Sequence, residues 1–491
     1  MPKKTIFALI CGLIFSLGFA PFDQWLLSII SVVVLLFLIE NTTSKESFLI
    51  GYLFGFGMWL SGISWLYVSI HFHGNISITG SALLILVFIS ILAIYSGLIF
   101  LLNSYLKKQT PKALSILTLP VVWTSIELIR SYLFTGFPWL ISGTMLADTL
   151  IDGLTPIIGA QGNSFFIIFI SVLIFKIIKD LKFKVLPLGL IVVTVTLLIS
   201  ASATKTISWT DPIDKIKVSI HQPNLKLEDK WSRLGIIKSQ EMMLSAIDKA
   251  ERDQLVVFPE TALILPEKEN KNFIDLIVQK SSEKNITLVT GILGREDNDI
   301  RNRLQAFGSV NTYYDKVKLV PFGEFIPLKS FLGGFLDIIN LNLTNTLPGE
   351  EITPINIGNL RISPSICYEI AFDELIRKTA KNSNLLLTIS NDTWFGRSAG
   401  PIQHLEIAQN RALEHQKPLV RSTNSGISAF IGKKGQIIEK QEYFEEKLLN
   451  REIMLFSGQT FYSNYGNSPL IILILSFLII VFGNRLIFRN S

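Results

Sequence analysis

The chain has 491 residues, of which 49% are hydrophobic and only 17% are charged. A mean hydropathy of +0.44 and 34 phenylalanines exceed what a soluble chain of this size carries, so a protein that is soluble throughout is excluded. The net charge of +6 does not indicate nucleic-acid binding, because Lys and Arg cluster beside apolar segments. The two cysteines, Cys11 and Cys367, are too few for a disulfide framework.

Charge is distributed unevenly, which predicts two kinds of domain. Residues 1–204 are predicted to form a membrane domain with seven spans, residues 205–460 a polar domain outside the membrane, and residues 461–491 an eighth span with a short cytoplasmic tail. A spanning helix needs roughly 20 mostly apolar residues, and fewer suffice in a thin bilayer. The eight candidate spans are 5–20, 24–39, 48–70, 78–102, 113–133, 163–178, 185–202 and 469–482.

The basic residues between these spans predict their orientation. Lysines and arginines flank alternate loops, whereas the loops 21–23 and 71–77 contain none. With a cytoplasmic N-terminus, seven spans place the polar domain on the opposite, outer face of the membrane. A cleaved secretory signal at the N-terminus is less favoured, because a second apolar segment begins at once.

Residues 131–147 are uncharged but broken by Gly, Pro and Trp, which fits a surface loop or a re-entrant segment better than a span. Glu127 and Arg130 lie near the end of the preceding span. They form either a functional intramembrane pair or a structural one at a helix end.

The polar domain alternates apolar segments with amphipathic ones, which predicts an α/β class but does not choose a fold. Strands are expected at 216–221, 255–258, 286–292, 360–366, 385–389 and 427–431, and helices at 232–250, 272–282 and 402–415.

Three reactive residues lie at or near strand ends, where α/β domains assemble their sites. These are Glu260, Lys316 and Cys367, with Lys318 as a rival lysine two residues further on. A thiol needs a base to become a good nucleophile, and an ammonium stabilises the oxyanion that forms after attack on a carbonyl. The combination predicts acyl transfer, although each residue alone is more often a surface charge or a packing residue.

Eight short motifs stand out along the chain, at 136–139, 258–260, 314–324, 366–369, 391–396, 401–404, 411–414 and 421–428. In these motifs the chain resembles apolipoprotein N-acyltransferase of bacterial envelopes. The resemblance implies a nitrilase-like αββα sandwich beside an α-helical membrane bundle of about eight spans. It assigns Glu260 as general base, Lys316 as oxyanion stabiliser and Cys367 as nucleophile, and the spacing from Tyr314 favours Lys316 over Lys318.

The resemblance also implies residues around the triad. Glu324 and Glu369 support the site, and the backbone N–H of Tyr368 is the second oxyanion donor. Trp231 matches a position that lines the lipid site, and its alternative role is an aromatic packed at the domain edge. Trp394 either guides substrate or anchors the domain at the interface.

The implied reaction moves an acyl chain from a membrane phospholipid to Cys367 as a thioester. The N-terminal amine of an S-diacylglyceryl-cysteine apolipoprotein then takes the chain as an amide. The partners are therefore these two lipids and the bilayer, with no nucleic acid, cofactor or metal expected. One alternative is a membrane-tethered amidase or nitrilase-type hydrolase with the same triad. Another is a transporter or lipid-binding protein whose polar domain is only regulatory, which the scarcity of intramembrane charges disfavours.

Overall fold

In a computed structural model of the chain we describe residues 2–181, 188–296, 299–325 and 346–489. The chain divides into two compact units. The first unit comprises Met1–Ile207 and Asn464–Ser491, and the second comprises Ser208–Ser463.

The first unit consists of helices rich in Leu, Ile, Val and Phe. The longer ones are Pro2–Phe15, Trp25–Ile39, Ser44–Gly62, Ile78–Lys107, Thr118–Tyr132, Thr155–Leu181, Leu188–Thr204 and Ser468–Arg489. A helix thus lies at each of the eight expected spans, although residues 185–187 of the seventh fall outside the described residues.

Few of these helices are long enough to cross a membrane by themselves. Within the described residues, two helices have the necessary length and hydropathy, Ile78–Lys107 and Asp152–Lys179. A third span results if Ser44–Gly62 and Leu66–His73, bent by 62°, count as one. The expected number of eight spans is therefore not confirmed. Local breaks shorten the helices, as where the short turn Lys112–Leu114 precedes the 15-residue helix Thr118–Tyr132.

Glycine lets two helices of the first unit pack with their backbones in close contact. A Cβ on Gly12 would lie 1.9 Å from the Phe54 carbonyl oxygen, and one on Gly57 would lie 2.3 Å from that of Leu9. Both distances are far below any real contact, so helices Pro2–Phe15 and Ser44–Gly62 depend on these glycines for their spacing.

Residues 131–147 fold back into the helical unit, and Trp139 and the residues after it are buried. The guanidinium of Arg130 donates hydrogen bonds to the carbonyls of Phe137 and Trp139, at 2.6 and 2.7 Å. The carboxylate of Glu127 accepts bonds from the backbone and hydroxyl of Ser142. Glu127 and Arg130 therefore both hold this segment against the helical unit.

The second unit is a sandwich of two mixed sheets, each of six strands among the described residues. The strands are β1 Thr210–Gln222, β2 Leu255–Val257, β3 Thr287–Glu296, β4 Asp299–Gly308, β5 Thr312–Asp315, β6 Ile355–Ile357, β7 Leu360–Ile366, β8 Leu385–Ser390, β9 Leu419–Thr423, β10 Ala429–Ile431, β11 Ile437–Lys440 and β12 Lys447–Gly458. Their order is β12-β1-β2-β3-β4-β5 in one sheet and β11-β10-β9-β8-β7-β6 in the other.

The main core lies between the sheets, where Val, Ile and Leu from both faces form one cluster. Helices Arg233–Lys249 and Lys271–Glu283 cover the outer face of the first sheet. Helices Asp373–Ala380 and Gly400–His415 pack on the second sheet. Layers of helix, sheet, sheet and helix confirm the expected α/β class and its αββα arrangement.

The topology places several chain reversals at the carboxyl ends of parallel strands. Strands β1, β2 and β3 are mutually parallel, and so are β7, β8 and β9. The loop after β2 carries Glu260, and the turn after β7 begins at Cys367. The expected strands and helices overlap those observed, whereas strands β4, β5, β6, β9, β11 and β12 were not anticipated.

Candidate active site

Cys367 lies on a sharp turn directly after strand β7. Its φ of 53° is in the left-handed region, which costs a non-glycine residue about 1–3 kcal/mol. The turn continues as a short 3-10 helix, Cys367–Ala371. The thiol-bearing residue remains partly exposed, although its neighbours Ile366 and Tyr368 are buried. Such a turn projects a nucleophile out of the sheet, and surrounding contacts must offset its strain.

Glu369 supplies many of those contacts. One carboxylate oxygen accepts a hydrogen bond from the N–H of Ile366 at 2.8 Å, which closes the turn. The other accepts bonds from the N–H of Val317 at 2.6 Å, the N–H of Lys318 at 3.0 Å and the hydroxyl of Tyr314 at 3.0 Å. Burial raises the pKa of Glu369 to about 7, against the lowering effect of these N–H groups. Glu369 therefore joins the nucleophile turn to the segment that carries Lys316.

Glu260 is buried, and both of its carboxylate oxygens are held. Oε1 accepts from the side-chain amide of Asn302 at 2.7 Å and lies 3.4 Å from the ammonium of Lys316. Oε2 accepts from the backbone N–H of Asn391 at 2.8 Å. This fixes the direction of the carboxylate, which a general base requires.

Lys316 follows strand β5, and its side chain is 1% exposed. Its ammonium donates to Glu324 Oε1 at 2.9 Å and faces Glu260 on its other side. Burial acts to lower the pKa of Lys316, but Glu324 and Glu260 outweigh it and raise this pKa above its ordinary value. The lysine is therefore a permanent cation at neutral pH. Glu324 is itself held by the N–H of Val320 and the amide of Asn302.

The surroundings of the thiol keep it protonated at rest. Burial and the negative charge of Glu260 raise the pKa of Cys367 to about 12, although Lys316 acts to lower it. A thiol of that kind reacts only when a neighbouring base removes its proton during attack. Glu260 is the carboxylate that most strongly affects it.

The rival Lys318 is directed elsewhere. Its backbone N–H bonds to Glu369, but its ammonium lies 5.2 Å from the centre of the Phe372 ring. The chain after Asp315 leaves the strand, so the two lysines do not share a face as they would in an extended segment.

The two tryptophans are exposed, with accessible fractions of 56% for Trp231 and 43% for Trp394. Trp231 follows the buried Lys230, whose ammonium donates to the backbone carbonyl of Glu260 at 3.3 Å. Trp394 lies in the short helix Asp392–Phe395, whose first residue, Asp392, is buried. Exposed tryptophans on firmly held segments indicate a surface prepared for apolar contact.

Sequence reasoning missed two features of the site. The first is Asn302 on strand β4, whose amide bridges Glu260 and Glu324. The second is a buried cluster in which His404 contacts both Asp392 and the backbone carbonyl of Cys367. His404 and Asp392 stand in two of the sequence motifs, but nothing in the sequence indicates that they contact each other. Arg421 completes the cluster by bonding to Asp392 at 2.5 Å.

Comparison with known proteins covers both units. The family described as "Apolipoprotein N-acyltransferase N-terminal domain" matches residues 11–173, and the family "Carbon-nitrogen hydrolase" matches residues 217–460. The second unit therefore has a carbon-nitrogen hydrolase fold, which is nitrilase-like.

Relatives named apolipoprotein N-acyltransferase match nearly the whole chain. The protein from Photobacterium profundum is 34% identical over 96% of this chain and 94% of its own length. The protein from Haemophilus influenzae is 34% identical over 97% and 94%, and that from Pasteurella multocida is 32% identical over 95% and 94%. The chain belongs to the apolipoprotein N-acyltransferase family.

Proposed function

We propose that this protein is an enzyme that transfers an acyl chain from a membrane phospholipid to the N-terminal amine of a diacylglyceryl apolipoprotein. Membership of the family supports this function, and the arrangement around Cys367 supports the chemistry. The single observation that carries the mechanism is the Lys316 ammonium held between Glu260 and Glu324, at 3.4 and 2.9 Å. The Lys316 ammonium is thus a fixed cation beside Glu260, the base that the thiol of Cys367 needs for its activation.

In the first half-reaction, Glu260 removes the proton of Cys367 as the sulfur attacks the ester carbonyl of the phospholipid. The oxyanion that develops is stabilised by the ammonium of Lys316 and the N–H of Tyr368. The C–O ester bond then breaks, and the protonated Glu260 returns its proton to the leaving alkoxide. The products are a lysophospholipid and a thioester on Cys367.

In the second half-reaction, the free amine of the S-diacylglyceryl cysteine attacks the thioester. Glu260 accepts a proton from the amine, an amide bond forms and the C–S bond breaks. The proton returns to the sulfur of Cys367, which restores the resting enzyme. The two half-reactions share one site, so ping-pong kinetics are expected.

The alternative is an amidase-type hydrolase, in which water replaces the amine. The same three residues serve both reactions, so the geometry of the site does not separate them. The acyltransferase is favoured because its relatives match this chain over nearly its full length, including the helical N-terminal domain.

The proposed setting is the bacterial inner membrane, with eight spans and the catalytic domain on the periplasmic face. Helices at all eight expected positions and the alternation of lysine-bearing loops support it. The proposed domains are 1–204, 205–460 and 461–491. Residues Trp231 and Trp394 are proposed to contact the lipid substrates, since both present large apolar surfaces to solvent.

Purified protein in detergent micelles containing phosphatidylethanolamine tests the function. After incubation with lipid alone, mass spectrometry of the peptide containing Cys367 should show a fatty-acyl thioester, and Cys367→Ala and Glu260→Gln should not form it. Addition of a diacylated lipopeptide should discharge the thioester with formation of an amide. Release of free fatty acid that is independent of the lipopeptide would instead identify a hydrolase.

A second measurement tests the membrane arrangement. Cysteines introduced one at a time into the polar loops of a Cys11→Ala, Cys367→Ala background are labelled in intact spheroplasts with a membrane-impermeant maleimide. Labelling of positions in 205–460, and protection of those in 107–112, is expected. The reverse pattern would exclude a periplasmic catalytic domain.

A further inference from the structure

His404, Asp392 and Arg421 form a cluster that the proposed reaction does not use. All three side chains are buried. Asp392 begins the short helix after strand β8, His404 lies on helix Gly400–His415, and Arg421 lies on strand β9. His404 Nδ1 lies 3.0 Å from Asp392 Oδ1 and 3.0 Å from Arg421 Nη2, and His404 Nε2 lies 3.1 Å from the carbonyl oxygen of Cys367. Buried polar side chains such as these three are generally hydrogen-bonded in protein cores.

The partner of Nε2 decides where the ring carries its proton. A carbonyl oxygen only accepts, so the contact with Cys367 requires a proton on Nε2. Burial acts to raise the pKa of Asp392, but Arg421 beside it outweighs this effect and keeps the carboxylate ionised. His404 Nδ1 lies 3.0 Å from both Asp392 Oδ1 and Arg421 Nη2, and Arg421 also bonds to Asp392, so these two residues hold the other edge of the ring in place.

The carbonyl that His404 holds belongs to the same peptide group as the N–H of Tyr368. A trans peptide is planar, and its C=O and N–H point in opposite directions. The 367–368 peptide is trans, and it follows a residue in the left-handed region, where the backbone is strained. Fixing the oxygen on one side therefore fixes the direction of the N–H on the other.

We propose that His404 is a positioning residue that aims the backbone N–H of Tyr368 at the reaction oxyanion by holding the carbonyl of Cys367. Asp392 and Arg421 hold the ring in place. This inference rests on the acyl transfer proposed above, and it assigns no contact between His404 and the substrate.

The test compares two reactions of the same sulfur. Thioester formation from phosphatidylethanolamine develops an oxyanion, whereas alkylation by iodoacetamide is a displacement at carbon that develops none. Both rates are measured on full-length protein by mass spectrometry of the peptide that contains Cys367, so that Cys11 does not contribute. His404→Phe keeps the ring volume but removes the donor, and His404→Gln keeps an N–H donor near the position of Nε2.

The expected result is a selective loss. Loss of one oxyanion donor costs about 10²–10³ in rate, and a misdirected one should cost at least about tenfold. His404→Phe should therefore slow thioester formation at least about tenfold while the alkylation rate stays within about twofold of the wild type. His404→Gln should recover most of the loss. His415→Gln is the matched control, because His415 is buried on the same helix and contacts Ser463 instead.

Two outcomes would overturn the inference. If acylation and alkylation fall together in His404→Phe, the residue acts only on the fold around the thiol. If neither rate falls, the N–H of Tyr368 does not depend on His404. Absence of a thioester in the wild-type protein is a different result, which would refute the proposed function itself.

Discussion

Replacement of Lys316 by methionine is the most informative single perturbation of the site. Methionine keeps most of the side-chain volume but removes the cation between Glu260 and Glu324. The buried carboxylate of Glu260 and the partly buried one of Glu324 then remain near each other, with the amide of Asn302 as a shared donor. We expect effects on both stability and reaction rate, and each has its own measurement.

The loss of stability follows from the geometry. Removing one partner of a buried ion pair costs about 3–5 kcal/mol, because a charge is left without compensation. A domain of about this size loses about 2–4 °C of melting temperature per kcal/mol, so a decrease of roughly 6–20 °C is expected. The raised pKa of Lys316 means that its contribution is fully present below the ordinary lysine value of 10.5 and is lost only as the pH rises through the folded value.

The loss of rate has a separate cause. Without the ammonium, thioester formation should fall by about 10²–10³, the usual effect of losing one oxyanion donor. Differential scanning fluorimetry in detergent measures stability, and the single-turnover rate of thioester formation measures chemistry. Lys318→Met is the matched control, since that ammonium lies over Phe372 and should leave the rate unchanged. Equal losses in both variants, or an unchanged melting temperature in Lys316→Met, would refute the reasoning.

Three further predictions concern the nucleophile, its turn and the apolar surface. Burial and Glu260 raise the pKa of Cys367 to about 12, although Lys316 acts to lower it. The alkylation rate of Cys367 should therefore still rise between pH 8 and 10, and a plateau near pH 8 would contradict the raised pKa. Glu369→Gln replaces one acceptor oxygen by a donor, so at least one buried backbone N–H loses its partner. Thermal unfolding should show that the free energy of unfolding falls by about 1–3 kcal/mol, and an unchanged value would contradict this role of Glu369. Trp231→Ala should leave the melting temperature within about 1 °C because the ring is exposed, yet slow thioester formation; an unchanged rate would assign Trp231 to surface packing.

The elements that could be predicted from sequence are those with strong apolar patterns. Strand β8 is a nearly continuous run of apolar residues, as expected of a parallel strand buried on both faces, and strand β7 alternates apolar with polar residues. Strand β4 was missed because charged and amide residues interrupt its apolar ones. Two of these polar residues are buried with specific partners: Asn302 bonds to Glu260, which is 42 residues away, and Arg303 bonds to Asp315 on the next strand. Local pattern carries no information about such partners.

The site divides in the same way. The positions of Glu260 and Cys367 at strand ends were readable, and so was the family to which their motifs belong. The residue pattern alone did not separate Lys316 from Lys318, although the family spacing from Tyr314 favoured Lys316, because their separation depends on where strand β5 ends and how the chain then turns. Their catalytic roles stay predictions that the experiments above test.

The amino-acid sequence by itself determined that the chain has an apolar helical part and a polar α/β part, since hydropathy and period are local properties of consecutive residues. Only the tertiary structure decided that Asn302 bridges two carboxylates and that His404 holds the carbonyl of Cys367. Those contacts join residues on different strands and helices. They exist because the two sheets pack against each other and bring the loops after β2, β5, β7 and β8 to one place.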